Sequence, residues 1–147
     1  MMWKDLPTPC YVVDEGKIRK NLEILADLEQ ECGCHILLAQ KAFSMYSLYP
    51  MIGQYISGTT ASGLYEARLG REEMGKENHV FAPAYEEADM KELVKICDHI
   101  VFNSFRQYEK YKELCKQSAQ IREDGKPVSV GIRVNPECST QEGHEIY

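Results

Sequence analysis

The sequence predicts an α/β fold in which helices cover a parallel sheet, and two observations lead to this prediction. Short apolar segments alternate strictly with amphipathic helical segments along the chain. The apolar segments lack the polar alternation of a strand that has one wet face, as is typical of buried parallel strands. Together these features indicate a layer of strands enclosed by the helices that connect them.

The elements follow in order from the amino terminus. A short β-rich run predicts a first strand at 10–13, and Asp14 is the expected N-cap of the first helix. That helix has one apolar face and ends at Gly33. Its face is formed by Ile18, Leu22, Leu25, Leu28 and Cys32. The later strands are predicted at 35–41, 58–61, 79–82, 100–102 and 128–134.

Local signals place the remaining helices. Pro50 predicts a kink or a late start for the helix at 45–56. Ser62 is the expected cap of the next helix, and Ser104 with Gln107 has capping-box spacing for the fifth. The side chains expected on the buried face of that fifth helix are Phe105, Tyr108, Tyr111 and Cys115.

Composition excludes several classes of function. The 147 residues suit one domain, and the net charge of -6 without a basic stripe argues against a nucleic-acid partner. No apolar run approaches the length of a membrane span, and no signal core follows the amino terminus. We therefore expect a cytoplasmic protein with no membrane partner, whose six cysteines are reduced.

Cys32, Cys34 and the adjacent His35 resemble a fragment of a metal site. No second pair of ligands follows at zinc-finger spacing. The sequence therefore predicts no metal.

Lys41 ends an apolar run, and this position has two interpretations. Burial at a strand end would disfavour the ammonium form, lower the pKa and make the amine a nucleophile able to form a Schiff base. Alternatively, the side chain extends its charged head to water.

A glycine-rich phosphate turn normally follows the first strand of a doubly wound dinucleotide domain. The turn at 41–44 has no glycine, which favours a β/α barrel. A complete barrel takes about 250 residues in eight units. The pattern here provides roughly five, so residues 1–147 are expected to be the N-terminal part of a truncated (β/α)8 barrel.

An ordered set of motifs resembles the carboxynorspermidine/carboxyspermidine decarboxylases, pyridoxal-phosphate enzymes with an alanine-racemase-like barrel. The matching stretches are 7–14, 37–44, 58–62, 66–70, 131–136 and 139–147. Thr60 stands where ornithine and diaminopimelate decarboxylases carry an aspartate, and a neutral threonine cannot pair with Arg133 as that aspartate would. This departure favours the carboxynorspermidine group.

The resemblance implies a fold-type-III decarboxylase of polyamine biosynthesis that forms norspermidine or spermidine. Lys41 would hold pyridoxal 5'-phosphate through a Schiff base. Arg133 would lie near the cofactor ring, although pairing with a carboxylate is an equal alternative. The relatives are homodimers whose sites are completed across the subunit interface. Gln40 before the lysine is expected to face away from it, with little effect.

The resemblance also implies that much of the site lies outside this sequence: the phosphate loop, the acidic partner of the pyridine nitrogen and the stacking histidine. Core or surface roles are therefore expected for His35, His79, His99 and His144. The chain alone is expected neither to bind the cofactor tightly nor to turn over substrate. The alternatives are another decarboxylase of the superfamily (diaminopimelate, arginine or ornithine), a non-catalytic cofactor-binding barrel protein, and a plain α/β domain.

Overall fold

The computed structural model describes residues 5–138 and contains five strands and five α-helices in that range. The strands are β1 (Leu37–Ala39), β2 (Gly58–Ala61), β3 (Glu77–Phe81), β4 (His99–Phe102) and β5 (Ser129–Ile132). The helices are α1 (Glu15–Cys32), α2 (Tyr49–Ile52), α3 (Leu64–Glu73), α4 (Glu87–Ile96) and α5 (Phe105–Gln117). The predicted alternation is confirmed.

All five strands form one parallel sheet in the order β1-β2-β3-β4-β5. In a doubly wound sheet the strand order reverses at the first strand, and this sheet has no such reversal within the described part. Strands added in one direction are the arrangement of the leading strands of a β/α barrel. The predicted fold class is confirmed.

Caps explain where two helices begin and end. The Asp14 carboxylate accepts a hydrogen bond from the Lys17 amide at 3.1 Å, and Gly33 closes α1 with a φ of 61°. The Ser104 hydroxyl accepts from the Gln107 amide at 3.2 Å at the start of α5. Pro50 lies in the first turn of α2, so this helix starts late, as predicted.

Several local predictions are wrong. Residues 10–13 form no strand, and Tyr11 is fully exposed. The flanking prolines have no N–H to donate, and the segment meets no partner strand among residues 5–138. Ser62 does not cap α3 with its side chain. Its amide instead donates to the Glu66 carboxylate at 2.6 Å.

The helices lie on one side of the sheet, which we call the covered face. Side chains alternate along each strand. The covered-face positions Ala61, Val80, Ile100 and Phe102 are buried against α3, α4 and α5. A second cluster joins α1, β1 and α2 around Leu22, Tyr49 and Ile52. Phe105, Leu28 and Cys32 were expected in the core but are exposed, because each faces away from these clusters.

The opposite side of the sheet, which we call the open face, is only half-buried. Its members share the second set of alternating strand positions: Leu37, Ala39, Thr60, Glu77, His79, Phe81, His99 and Val101. In a β/α barrel this face lines the interior. Side chains on the open face and at the strand ends are therefore the ones that could contact a ligand.

All six cysteines are free thiols, as predicted, with Cys97 and Cys115 buried. Cys32 and Cys34 are exposed, and the described residues do not assemble them with His35 into a group of metal ligands. Within residues 5–138, no helix has the length and apolar character needed to cross a bilayer.

Candidate functional site

Lys41 lies at the carboxyl end of β1, in the turn that leaves the sheet. Strand pairing continues one residue past β1, because the Gln40 amide donates to the Thr60 carbonyl at 3.2 Å. The turn closes where the Ala42 amide donates to the Ala39 carbonyl at 2.9 Å. The Lys41 side chain is exposed. Residues 5–138 therefore leave the Lys41 amine in solvent. Of the two interpretations of this lysine, the described part fits the one in which the side chain extends its charged head to water.

Gln40, the residue before Lys41, is buried. It is 1% exposed, and its Oε1 accepts a long hydrogen bond of 3.4 Å from the Tyr49 hydroxyl. Its Nε2 has no partner among residues 5–138. Neighbouring side chains of an extended segment point to opposite sides, so the burial of Gln40 and the exposure of Lys41 agree with the predicted orientation. Gln40 is buried beside the turn that carries Lys41, and its small effect on that lysine stays a prediction.

Arg133 follows β5, and its amide donates to the Phe102 carbonyl at 2.8 Å. The guanidinium carbon lies 5.6 Å from the centroid of the Phe81 ring, and Nη1 is 3.4 Å from Asn103 Oδ1. None of residues 5–138 pairs a carboxylate with Arg133. The carboxylate-paired alternative is therefore not found in the described part, and contact with a cofactor stays a prediction.

Lys41 and Arg133 share one edge of the sheet with two further side chains. Phe81 ends β3 and Asn103 follows β4. The carboxyl ends of parallel strands meet at one edge, which is where barrel enzymes place their active sites. Four strand spacings of about 4.8 Å separate β1 from β5 along the sheet. The two cations can therefore reach one ligand only across a curved sheet, and the structure shows no direct contact between them.

Tyr85 holds this edge together. Its hydroxyl accepts from the Ala82 amide at 2.9 Å and donates to the Val101 carbonyl at 2.8 Å. Burial raises the pKa of Tyr85 to about 12, so the hydroxyl keeps its proton. The ends of β3 and β4, and with them Phe81, are thereby fixed relative to each other.

Thr60 lies on the open face of β2, opposite Ala39 on β1 and His79 on β3. None of its contacts in the described part reaches Arg133. The inference that a neutral threonine here favours the carboxynorspermidine group over the ornithine and diaminopimelate decarboxylases stays a prediction.

Sequence reasoning missed a cluster of titratable groups on the open face. Glu77 Oε1 lies 3.0 Å from His79 Nε2 and 3.4 Å from His99 Nε2, while Glu77 Oε2 lies 2.7 Å from His35 Nδ1. Burial raises the pKa of Glu77, but the adjacent imidazoles of His79 and His35 outweigh it and hold the pKa below its usual range. Burial and the neighbouring His79 lower the pKa of His99.

A signal for this cluster exists in the sequence. Glu77 and His79 are two residues apart on one strand and therefore share a face. His99 begins the next strand and pairs with His79 in register. The sequence predicted strand starts at residues 79 and 100 rather than at Glu77 and His99, so neither Glu77 nor His99 was placed on a strand.

No protein-family model matches the chain. Curated relatives do. The chain is 39% identical over 134 residues to a carboxyaminopropylagmatine decarboxylase from Synechocystis. It is 36% identical over 139 residues to a carboxynorspermidine/carboxyspermidine decarboxylase from Campylobacter jejuni, and 33% identical over 134 residues to one from Herminiimonas arsenicoxydans. These alignments cover 91–95% of this chain but 33–34% of the relatives, so the chain spans about a third of their length.

A solved structure agrees with these relatives. The crystal structure of carboxynorspermidine decarboxylase from Campylobacter jejuni, complexed with norspermidine, superimposes with a TM-score of 0.73 at 38% identity. The match covers 80% of this chain and 31% of that one. The resemblance predicted from the sequence is confirmed. The matching stretch at 139–147 lies outside the described residues.

Proposed function

We propose that this chain is the N-terminal part of the cofactor-binding barrel of a pyridoxal-phosphate-dependent decarboxylase of polyamine biosynthesis. Its substrate would be carboxynorspermidine or carboxyspermidine, and its product norspermidine or spermidine. One observation supports this most strongly: Lys41 stands at the carboxyl edge of a parallel sheet in a chain 33–39% identical to decarboxylases of carboxylated polyamines.

The residues at this edge fit the cofactor. An aldehyde needs a primary amine that is free of an ion pair, and the exposed Lys41 forms none with residues 5–138. A phosphorylated ring needs a cation and a flat surface nearby, and Arg133 lies over the Phe81 ring without a carboxylate among residues 5–138 to neutralise it. Lys41 would hold the cofactor covalently, and Arg133 would lie beside it.

When bound, pyridoxal phosphate supplies the electron sink for the charge left on the α-carbon as carbon dioxide departs. The chain's own residues bind and orient. Lys41 would hold the cofactor through its neutral amine. When the substrate amine displaces it, Lys41 Nζ would take up the proton that the substrate amine loses and could pass it to the α-carbon. Gln40, buried on the far side of the strand, restricts how far the Lys41 backbone can move. Holding the Lys41 amine in one position would raise the rate of decarboxylation, because fewer orientations of the amine and the bound substrate are unreactive.

The substrate class and assembly are part of the same proposal. Carboxylated triamines carry several positive charges, which Lys41 and Arg133 would repel. The polyamine tail would therefore have to bind carboxylates elsewhere in the complete protein. We propose that the complete protein is a homodimer, as the resemblance implies. The length of the relatives leaves room for the residues that complete such a site.

The test is a comparison of substrates on the complete protein that contains this chain. Carboxynorspermidine, carboxyspermidine, ornithine, arginine and diaminopimelate are offered at equal concentration, and carbon dioxide release is measured. We expect turnover of the first two. Lys41→Ala should lower the rate on the order of 1000-fold or more, since it removes the nucleophile. Lys91→Ala, an exposed lysine on α4, is the matched control.

Carboxyaminopropylagmatine is a second candidate substrate, favoured by the 39% identity to the Synechocystis relative of that name. It carries a guanidinium group where the triamines carry an amine. Adding carboxyaminopropylagmatine to the same assay shows whether it or the carboxylated triamines are turned over faster. Preferential turnover of ornithine or diaminopimelate would contradict both proposals.

A further inference from the structure

A cluster of one carboxylate and two imidazoles on the open face has no role in the proposed decarboxylation. Glu77 is the first residue of β3, and His79 follows two positions later on the same face. His99 is the first residue of β4 and lies opposite His79 in the register. The three side chains therefore project from adjacent strands toward one point. That point lies near the amino ends of the strands, whereas Lys41 and Arg133 lie at the carboxyl edge.

The distances between the three side chains are close to those between ligands of one metal ion. Ligand atoms about 2.0–2.2 Å from a tetrahedral zinc lie roughly 3.3–3.6 Å apart. Glu77 Oε1 lies 3.0 Å from His79 Nε2 and 3.4 Å from His99 Nε2, and all three ligand atoms lie within 4.8 Å of one another. The two rings are stacked with centroids 4.1 Å apart, and both Nε2 atoms face the same carboxylate oxygen, Glu77 Oε1.

The His79 side chain contains a buried nitrogen that lacks a hydrogen-bond partner in the described part of the chain. Its Nε2 is buried and has no hydrogen-bond partner within residues 5–138, although the carboxylate oxygen is 3.0 Å away without the alignment of a hydrogen bond. An unpartnered buried nitrogen destabilises the fold. A cation between the nitrogen and the carboxylate would satisfy both atoms.

His35 supports the cluster from outside. Its Nδ1 lies 2.7 Å from Glu77 Oε2, the oxygen that does not face His79 and His99. A ligating carboxylate is commonly oriented by a hydrogen bond to its second oxygen. This contact turns Oε1 toward the two imidazoles, and it comes from the segment just before β1.

We propose that Glu77, His79 and His99 bind one divalent transition-metal ion, with Zn²⁺ as the first choice, and that His35 orients the carboxylate. Two neutral imidazoles and one carboxylate are a ligand set that zinc accepts, with a remaining position for water or a further ligand. Because the site joins β3 to β4 near the amino ends of the strands, its role is to hold these strands together. The inference does not depend on the proposed decarboxylase activity.

The test is a titration of the purified full chain, freed of metal by a chelator, with Co²⁺. We expect saturation at one ion per chain, visible absorption bands of tetrahedral cobalt, and displacement by Zn²⁺. X-ray absorption at the zinc edge of the unmodified chain should show nitrogen and oxygen ligands. Absence of saturable binding, or a shell of sulfur ligands, would overturn the proposal, and neither result depends on a variant that must fold.

Variants then assign the ligands. Glu77→Gln and His99→Asn should each abolish stoichiometric binding, while His35→Asn should weaken it about 10–100-fold. The double variant Cys32→Ser, Cys34→Ser is the control, because these exposed thiols are the competing ligands. Its binding should equal that of the unmodified chain. If it alone loses the metal, the site belongs to the thiols and the assignment is wrong. Circular dichroism of the metal-free chains confirms that each variant is folded.

Discussion

At the scale of single residues, the positions of Lys41 and Arg133 could be predicted from the sequence, but the side chains that contact Arg133 could not. The sequence predicted both positions by motif and by their place at strand ends, and the structure puts them at one edge of the sheet. It could not predict the partners of Arg133, Phe81 and Asn103, because these lie 52 and 30 residues away and meet the arginine only through strand register. Contacts of this kind depend on long-range pairing rather than on local pattern.

Arg133 provides the first prediction at this scale. In the complete protein, Arg133→Gln should weaken binding of pyridoxal phosphate by on the order of tenfold or more, because a charge-assisted hydrogen bond contributes about 1.5–3 kcal/mol. Equilibrium dialysis measures the effect. Arg106→Gln, an exposed arginine on α5, is the control and should leave the affinity unchanged. Equal affinities for both variants would remove Arg133 from the site.

At the scale of elements, the helices were easier to predict than the strand ends. The caps Asp14 and Ser104 are local signals, and both helices begin where these residues predict. The apolar run at 10–13 has the composition of a strand, but a strand forms only where a partner strand supplies hydrogen bonds, and this segment has none among residues 5–138. The prediction that Ser62 caps α3 is wrong because Gly63 occupies the N-cap position. The Ser62 amide instead donates to the Glu66 carboxylate.

Glu29 ties α1 to the sheet and gives a prediction at the element scale. Its carboxylate accepts from the amides of Ile36 and Ser57, just before β1 and β2. Burial raises the pKa of Glu29, but these hydrogen bonds and the charge of His35 lower it further than burial raises it. Glu29→Ala should therefore destabilise the fold by about 2 kcal/mol at neutral pH. Glu23→Ala, an exposed position on the same helix, is the control.

The pH dependence of this tie follows from the sign of the shift. A carboxyl group whose folded pKa lies below its unfolded value stabilises the fold above the unfolded pKa, about 4.3 for glutamate, and loses that contribution as the pH falls through the folded pKa. Urea unfolding at neutral and acidic pH should show the gap between Glu29→Ala and the unmodified chain narrowing in acid. A gap that widens in acid would contradict this account.

A glycine at the start of β2 gives a second prediction for an element. A Cβ at Gly58 would collide with the backbone carbonyl of Glu77 on β3, and backbone cannot move aside cheaply. Gly58→Ala should cost about 3 kcal/mol or more in unfolding free energy. Gly63→Ala is the control, since its φ is 175° and its Cβ would meet open space. Denaturation of the two variants side by side measures the difference. Equal stabilities would show that β2 and β3 are farther apart than described.

At the scale of the whole molecule, the two faces of the sheet differ. Strand alternation predicted a buried layer, and Val80, Ile100 and Phe102 are fully buried on the covered face. The sequence did not reveal that the other face carries Glu77, His79 and His99, because Glu77 and His99 lie just before the predicted strand starts. Their grouping depends on the register between strands, which hydrophobic pattern does not fix for residues on a polar face.

The open face leads to a prediction for the chain by itself. Lys41 is exposed and Arg133 is four strands away, so this part of the molecule offers two separate contacts rather than an enclosed pocket. The isolated chain should neither bind pyridoxal phosphate tightly nor release carbon dioxide from carboxynorspermidine. A spectrum of the chain mixed with the cofactor tests this. A stable visible-edge band that disappears in Lys41→Ala would contradict the prediction.

The measurement that tests the central claim most directly is borohydride reduction of the complete protein with pyridoxal phosphate, followed by mass spectrometry of its peptides. The account predicts that the reduced cofactor is attached to Lys41 and that Lys41→Arg carries none. Attachment to a different lysine, or no attachment to a protein that still releases carbon dioxide from its substrate, would contradict it.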